Sequence, residues 1–317
     1  VDTAFLGQRR VHLNREGMFM ESPTAYAGVS SVPRAVDTRR REGARLALPI
    51  WLSSGVTLFA LIASAAGLFI PGVYRDAPTW AAQARGTDLV TLTVAVPSLA
   101  ISMLLTARGS RRAGVVWLGV LGYSLYMYVI SAFDVVFNPL FLVYVAVLSL
   151  SLFALVALLI RLDADEVQAH FDRGLPRRTT GGYLVGLATL FLLAWLRDII
   201  PAIVRGNSPD SLNGTTLPTN PVHVLDLSVL LPLAALSGVW LWQRRPWGYL
   251  LAGALLTTLT IVGTSVVSGI VFERLDDATV SLAALPLLIV VTLAGLGLLV
   301  IYLRHLKSAA AVSSVDS

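Results

Sequence analysis

Apolar runs too long for a soluble core are what most constrain this chain. Residues 46–70, LALPIWLSSGVTLFALIASAAGLFI, carry no charged side chain. Crossing the hydrocarbon core of a bilayer takes about 20 helical residues, and every backbone N–H and C=O there has to be satisfied within the segment. Runs of this kind recur. The sequence predicts eight spans, at 47–72, 88–107, 114–134, 139–160, 181–204, 222–242, 247–271 and 280–303. The runs are continuous rather than alternating, so a β-barrel does not fit. The expected fold is an all-α integral membrane protein. Composition agrees, with 56% hydrophobic and 14% charged residues, where soluble domains average roughly 25% charged.

Charge placement orients the spans. Arg34, Arg39, Arg40, Arg41 and Arg45 precede the first. Alternate loops carry Arg108, Arg111 and Arg112, then Arg161, Arg173, Arg177 and Arg178, then Arg244 and Arg245. Arg304 and Lys307 follow the last span. With eight spans all of these fall on one side, and the positive-inside rule makes that side the cytoplasm, with both termini there. The other loops are rich in acid: Asp76, Asp88, Asp134, Asp210, Glu273, Asp276 and Asp277. The pI of about 9.8 therefore reflects topology and anionic inner-leaflet lipid, not nucleic acid. Of 24 basic residues only Lys307 is lysine. That bias points to a GC-rich bacterial genome, and the expected location is a bacterial plasma membrane.

Between and beyond the spans lie three polar segments. Residues 1–45 and 307–317 are expected to be disordered tails, the first Arg-rich and cytoplasmic. The chain begins with Val1, ahead of Met18 and Met20, as a GTG start read as valine or an over-extended reading frame would give. No secretory signal is expected, because the first apolar run starts near Leu46 and is too long. Residues 162–180 form a linker, within which LDADEVQAHFDRGLP (162–176) is too charged to span. It is expected to form an interfacial helix on the cytoplasmic side with His170 solvated.

The linker separates two stretches, 46–161 and 181–306, that resemble each other. LFIPGVYR (68–75) and DIIPAIVR (198–205) both place Ile-Pro before an arginine four residues on. Each is followed by a span with a proline in its outer half, Pro97 or Pro232, and then by an arginine pair. Four spans per unit is an even number, so the pattern predicts a tandem 4+4 parallel repeat. Transporters built this way place their sites at the repeat interface.

The residue inventory removes several kinds of chemistry. There is no cysteine, hence no disulfide, thiolate or Cys-ligated centre. G-x-x-x-x-G-K-[ST], H-E-x-x-H and G-x-S-x-G are all absent, and with them the P-loop, zincin and nucleophile-elbow signatures. No lysine lies in a span, which excludes a retinal-type Schiff base. No cofactor or metal is expected.

Candidate residues gather in the acid-bearing half of the spans. In LPTNPVHVLDLSVLLP (217–232), Asn220 is a good N-cap and Pro221 suits the first helical position; Asn138-Pro139 repeats the pair ahead of the fourth span. Helix initiation accounts for Asn220 and Pro221, but not for His223 and Asp226, which are three apart and share a helix face. A charged aspartate within a span has to face the bundle and find a partner. Arg197 and Asp198 lie at similar depth in the fifth span, and Arg85 and Asp88 open the second. Tyr123 stands in the third span on a stripe with Tyr126, Met127 and Asp134, and Thr257, Thr260, Thr264 and Ser268 line one face of the seventh. Even-numbered spans start on the outer side, so their positive dipole ends converge there. With Arg85 and Arg197, that favours a small anionic or zwitterionic solute entering from outside, with His223 and Asp226 coupling protons to it.

The segment 217–232 and the QRRPWGYLL that follows it (243–251) resemble a group of uncharacterised bacterial multi-pass membrane proteins, and the resemblance implies no activity. Two other readings stand beside transport. The chain is a non-catalytic subunit or sensor whose polar cluster holds helices in register, or it is an intramembrane enzyme acting on an outer-leaflet lipid. In the enzyme, His223 would be the base, Asp226 its orienter and Arg197 the head-group clamp. The lipid bilayer is the partner common to all three, and the sequence sets no oligomeric state.

Overall fold

The computed structural model describes residues 33–215, 217–277 and 279–307, with side chains from Leu46 onward. The residues 1–32 and 308–317 of the two expected tails lie outside the described residues. All regular structure among the described residues is helical. Eight helices are long and apolar enough to cross a membrane, and the chain is a multi-pass membrane protein. They are span 1 (Leu46–Phe69), span 2 (Pro78–Ala107), span 3 (Arg111–Phe133), span 4 (Phe141–Arg161), span 5 (Arg177–Arg205), span 6 (Pro221–Trp242), span 7 (Pro246–Asp276) and span 8 (Leu285–His305).

The largest departure from the expected boundaries is in span 2, which starts at Pro78 instead of residue 88. Its first turns, PTWAAQARGTD, are polar enough to read as loop, but packing against span 7 holds them helical. Arg85 and Asp88 therefore sit inside a helix, not at its start. The helix of span 1 begins at Pro33, within the segment expected to be a tail. The two Ile-Pro-x-x-x-Arg segments also differ. Ile70 and Pro71 lie in the turn after span 1, while Ile200 and Pro201 lie inside the helix of span 5.

Spans 3 and 7 form the centre. Their apolar windows are 67% and 61% buried, against 17–39% for the other six. Span 7 packs on spans 2, 3, 6 and 8, and span 3 on spans 2, 4 and 7. Trp117 of span 3, fully buried, donates its indole N–H to Ser53 Oγ of span 1 at 2.9 Å. Apolar side chains gain little by leaving lipid for a protein interior, so close approach and hydrogen bonds decide such packing. Between spans 2 and 7 the approach is backbone on backbone: a Cβ added at Gly86 would fall 2.6 Å from Gly269 Cα. Between spans 3 and 7 the Thr258 hydroxyl donates to the Gly119 carbonyl at 2.8 Å.

Spans 2 and 6 share a local feature. Each contains a five-residue π-helical segment, Thr91–Ala95 and Asp226–Leu230, just ahead of Val96-Pro97 and Leu231-Pro232. A proline has no N–H, and in an α-helix its ring presses on the carbonyl four residues back. That carbonyl belongs to Thr93 or Ser228, and both lie in the widened segment, which relieves the clash. Both side chains then bond one turn further back, Thr93 Oγ1 to the Leu89 carbonyl at 2.6 Å and Ser228 Oγ to the Val224 carbonyl at 2.5 Å.

At the arginine-bearing end the linker forms a short helix, Ala164–Ala169, and then folds under the bundle. The Phe171 ring lies 4.9 Å from Tyr302 and 5.2 Å from Tyr249. Arg111 pairs with Glu166 at 2.5 Å, and His305 Nδ1 with Asp172 Oδ1 at 2.7 Å. The His170 ring is half-buried, with Nδ1 2.7 Å from the Glu166 carbonyl oxygen.

Candidate functional site

The acid-bearing half of the bundle holds a cavity of about 280 Å3 between spans 2, 3 and 7, with Val222 of span 6 at its edge. Asp88 is its one charged side chain among the described residues. This carboxylate is 8% exposed. Oδ2 accepts the Tyr74 hydroxyl at 2.6 Å. A glycine makes room for it: a Cβ at Gly67 of span 1 would collide with Oδ2. The buried Ser64 hydroxyl of span 1 is a second hydrogen-bonding neighbour of this carboxyl. Burial, and then the charge of Asp88, push the Tyr74 phenol well above its usual range, so Tyr74 remains a donor.

Polar and aromatic side chains line the rest. Trp80, Tyr74 and Tyr126 present rings, while Thr87, Ser131 and Ser265 present hydroxyls. Gln83 Nε2 donates to Glu273 at 3.1 Å across spans 2 and 7. At one end Ser265 Oγ lies 3.0 Å from the buried Tyr123 hydroxyl, which lies 2.7 Å from Thr91 Oγ1. Tyr74 is also part of the wall of a second hollow, a cleft of about 400 Å3 bounded by the turn after span 1 and by Arg85 and Asp276.

Tyr126 leads out of the cavity to the second buried carboxylate. Its hydroxyl donates to Asp226 Oδ1 at 2.9 Å, and the Trp195 indole N–H donates to Asp226 Oδ2 at 2.9 Å. The His223 ring stacks on Trp195 with centroids 4.5 Å apart. Asn220 Oδ1 accepts from the N–H groups of Val222 and His223 at 3.0 and 3.3 Å, which fixes the start of span 6.

The seven residues singled out from sequence are therefore distributed over several environments. Asp88 lines the cavity, and Tyr123 lies just beyond Ser265. Arg85 pairs with Asp276 at the rim, 5.9 Å from the Phe272 ring centroid, and not with Asp88. Arg197 is exposed, and Asp226 has Tyr126 and Trp195 as partners in its place. Asp198 accepts from the Asp210 backbone N–H at 3.1 Å. His223 and Asp226 share a helix face without a hydrogen bond between their side chains, and neither lines the cavity. The base-and-orienter pair that an enzyme would need is absent from this arrangement. Asn138 does not cap span 4: its Oδ1 accepts from the Leu140 N–H at 2.8 Å in the turn before the helix starts at Phe141.

Sequence reasoning passed over Tyr74, Trp80, Gln83, Gly67 and Trp195. A tyrosine in an outer loop and a tryptophan in a span read as interfacial belt residues. Only the fold shows that their polar atoms meet carboxylates. Among the described residues no three His, Asp or Glu side chains converge as metal ligands. A scan against protein-family models gives no match, and neither does a search of curated proteins or of solved structures.

Proposed function

We propose that this membrane protein binds a small organic cation in the cavity beside Asp88 and carries it between the two sides of the bilayer. The observation behind this is the charge of the lining: one buried carboxylate, with no Arg, Lys or His among the described residues that line the cavity. Three aromatic rings beside a carboxylate suit an ammonium group with an apolar body. The anionic or zwitterionic solute expected from sequence depended on Arg85 and Arg197 facing the site. Arg85 is engaged by Asp276 and Arg197 is exposed, so the proposal reverses the sign of the solute.

Carriage is supported by where the cavity lies. Spans 2 and 3 come from the first four spans, span 7 and Val222 from the last four, as a tandem repeat with its site at the interface requires. The matched π-segments support the repeat as well.

Calorimetry on protein in lipid nanodiscs tests the binding with a matched pair, n-butylammonium and butyrate. Butylammonium should bind and butyrate should not. Removing one partner of a buried charge pair costs about 3–5 kcal/mol, so Asp88→Asn should weaken butylammonium a hundredfold or more. Butyrate binding as tightly as butylammonium, or an unchanged affinity in Asp88→Asn, removes the proposal. Uptake of labelled butylammonium into proteoliposomes tests carriage. Binding without uptake would favour the sensor or subunit reading.

A further inference from the structure

We propose that Asp226 is a proton-binding site, coupled to the Asp88 cavity by the Tyr126 hydroxyl, so that a cation and a proton compete for the protein. The inference rests on the cation reading and adds to it a second carboxylate that touches no solute.

Asp226 is 6% exposed, inside a membrane span, and no cationic side chain among the described residues lies within ion-pair distance of it. An ionised carboxylate in such a place costs several kcal/mol unless it is compensated. Two neutral donors compensate it in part. Trp195 Nε1 donates to Oδ2 and has no other hydrogen-bonding capacity. Oδ2 is therefore held as an acceptor, and an added proton belongs on Oδ1, the oxygen facing Tyr126.

Tyr126 takes part in both places, since it lines the cavity and bonds to Asp226. With Asp226 ionised, Tyr126 donates to Oδ1 and offers its oxygen lone pairs to the cavity. With Asp226 protonated, Oδ1–H donates to the Tyr126 oxygen and the tyrosine O–H turns toward the cavity. An ammonium has donors only, so it favours the first state. Its arrival expels the Asp226 proton to the aqueous phase, one proton out for one cation in.

Two buried carboxyls can take up a proton here, Asp88 in the cavity and Asp226 behind Tyr126. His223 stands one turn earlier on the same helix against Trp195, and Asp198 of span 5 acts electrostatically on His223. Span 3 contributes Tyr126. Span 7 has no charged side chain before Glu273, which is engaged with Gln83. Asp88 of span 2 lies across the cavity and binds the cation directly.

Infrared difference spectroscopy on protein in nanodiscs reads the proton itself. The Asp226 component of the carboxylic-acid C=O band, the part that persists in Asp88→Asn and is lost in Asp226→Asn, should grow as pH falls. At fixed pH, butylammonium should remove this band from the wild type and leave it in Tyr126→Phe. In parallel, wild-type affinity should fall by up to about tenfold for each pH unit below the Asp226 titration, and Asp226→Asn should bind with a shallower slope. A missing Asp226 band at every pH, or an equal slope in Asp226→Asn, overturns the proposal while leaving the cation site intact. If butylammonium fails to bind, the cation reading falls, and the band decides what remains. In that case a band that titrates at the same pH in Tyr126→Phe as in the wild type overturns the coupling. Should Asp226→Asn not fold, Trp195→Phe replaces it: the loss of one donor must shift the band, and an unshifted band counts against Asp226.

Discussion

Asp88 of span 2 and Asp226 of span 6 are two buried aspartates, and they meet different ends. Each lies close to a π-segment followed by a proline, and each accepts a tyrosine hydroxyl. Asp226 also has Trp195, so both of its oxygens are occupied. Asp88 has the Ser64 hydroxyl as its other hydrogen-bonding neighbour and opens onto a cavity. Burial makes both carboxylates costly to ionise without compensation; Asp226 meets that need with two protein donors, whereas Asp88 faces the cavity.

The contrast can be broken most forcefully at Gly67. Gly67→Val places carbon where the Asp88 carboxylate packs. Overpacking of this kind costs about 1–3 kcal/mol, so thermal unfolding in detergent should fall by several degrees and butylammonium binding should be lost with it. A stable, binding-competent Gly67→Val protein would mean that Asp88 is free to leave its pocket. Trp195→Phe should come next. It keeps the ring and removes one of the two donors to Asp226, at about 1–2 kcal/mol, without changing cation affinity at high pH. Tyr74→Phe removes the phenol donor from Asp88 and leaves the Ser64 hydroxyl beside it. A hydrogen bond within a bilayer averages about 0.6 kcal/mol, so stability should drop less than in Trp195→Phe, while cation binding persists because the freed carboxylate still needs a partner. If Tyr74→Phe destabilises more than Trp195→Phe, the two carboxylates are not satisfied as described.

The smallest effect belongs to the opposite end of the molecule and serves as a control. The hydrogen bond from His305, and then that from the Gly174 N–H, hold the Asp172 carboxyl below its usual range. A depressed carboxylate stabilises the fold above its unfolded value, near pH 4, and loses that contribution as pH falls through the folded value. Asp172 is well exposed, so the pair is worth less than about 1 kcal/mol. Asp172→Asn should lower the melting temperature slightly at neutral pH, and the difference from wild type should close as pH drops below about 4. A difference that instead grows on acidification would mean that the Asp172–His305 pair does not stabilise this end.

Much of the site was legible in part. Asp88, Tyr123, His223 and Asp226 stand out in sequence because polar groups within apolar runs are expensive, and that expense does not depend on the fold. Their partners were not legible. Arg197 lies at similar depth in the sequence and offers Asp226 or Asp198 an opposite charge. In the structure a tryptophan and a tyrosine supply neutral donors, and the arginine faces outward. Span 2 shows the same limit for the fold. Its first turns lack the apolar content of a span, and only contact with span 7 through Gly86 and Gly269 keeps them helical.

The sequence by itself determined that this chain enters a membrane, how many times it crosses, and where its helices begin and end to within a turn or two in most cases. Those properties follow from local hydropathy and backbone satisfaction, which each segment carries alone. Tertiary structure decided which carboxylate faces a cavity and which is sealed. That outcome depends on a glycine in span 1, a tyrosine in a turn and a tryptophan in span 5, residues far apart in the chain whose chemistry becomes specific only when packing brings them to the same oxygen atoms.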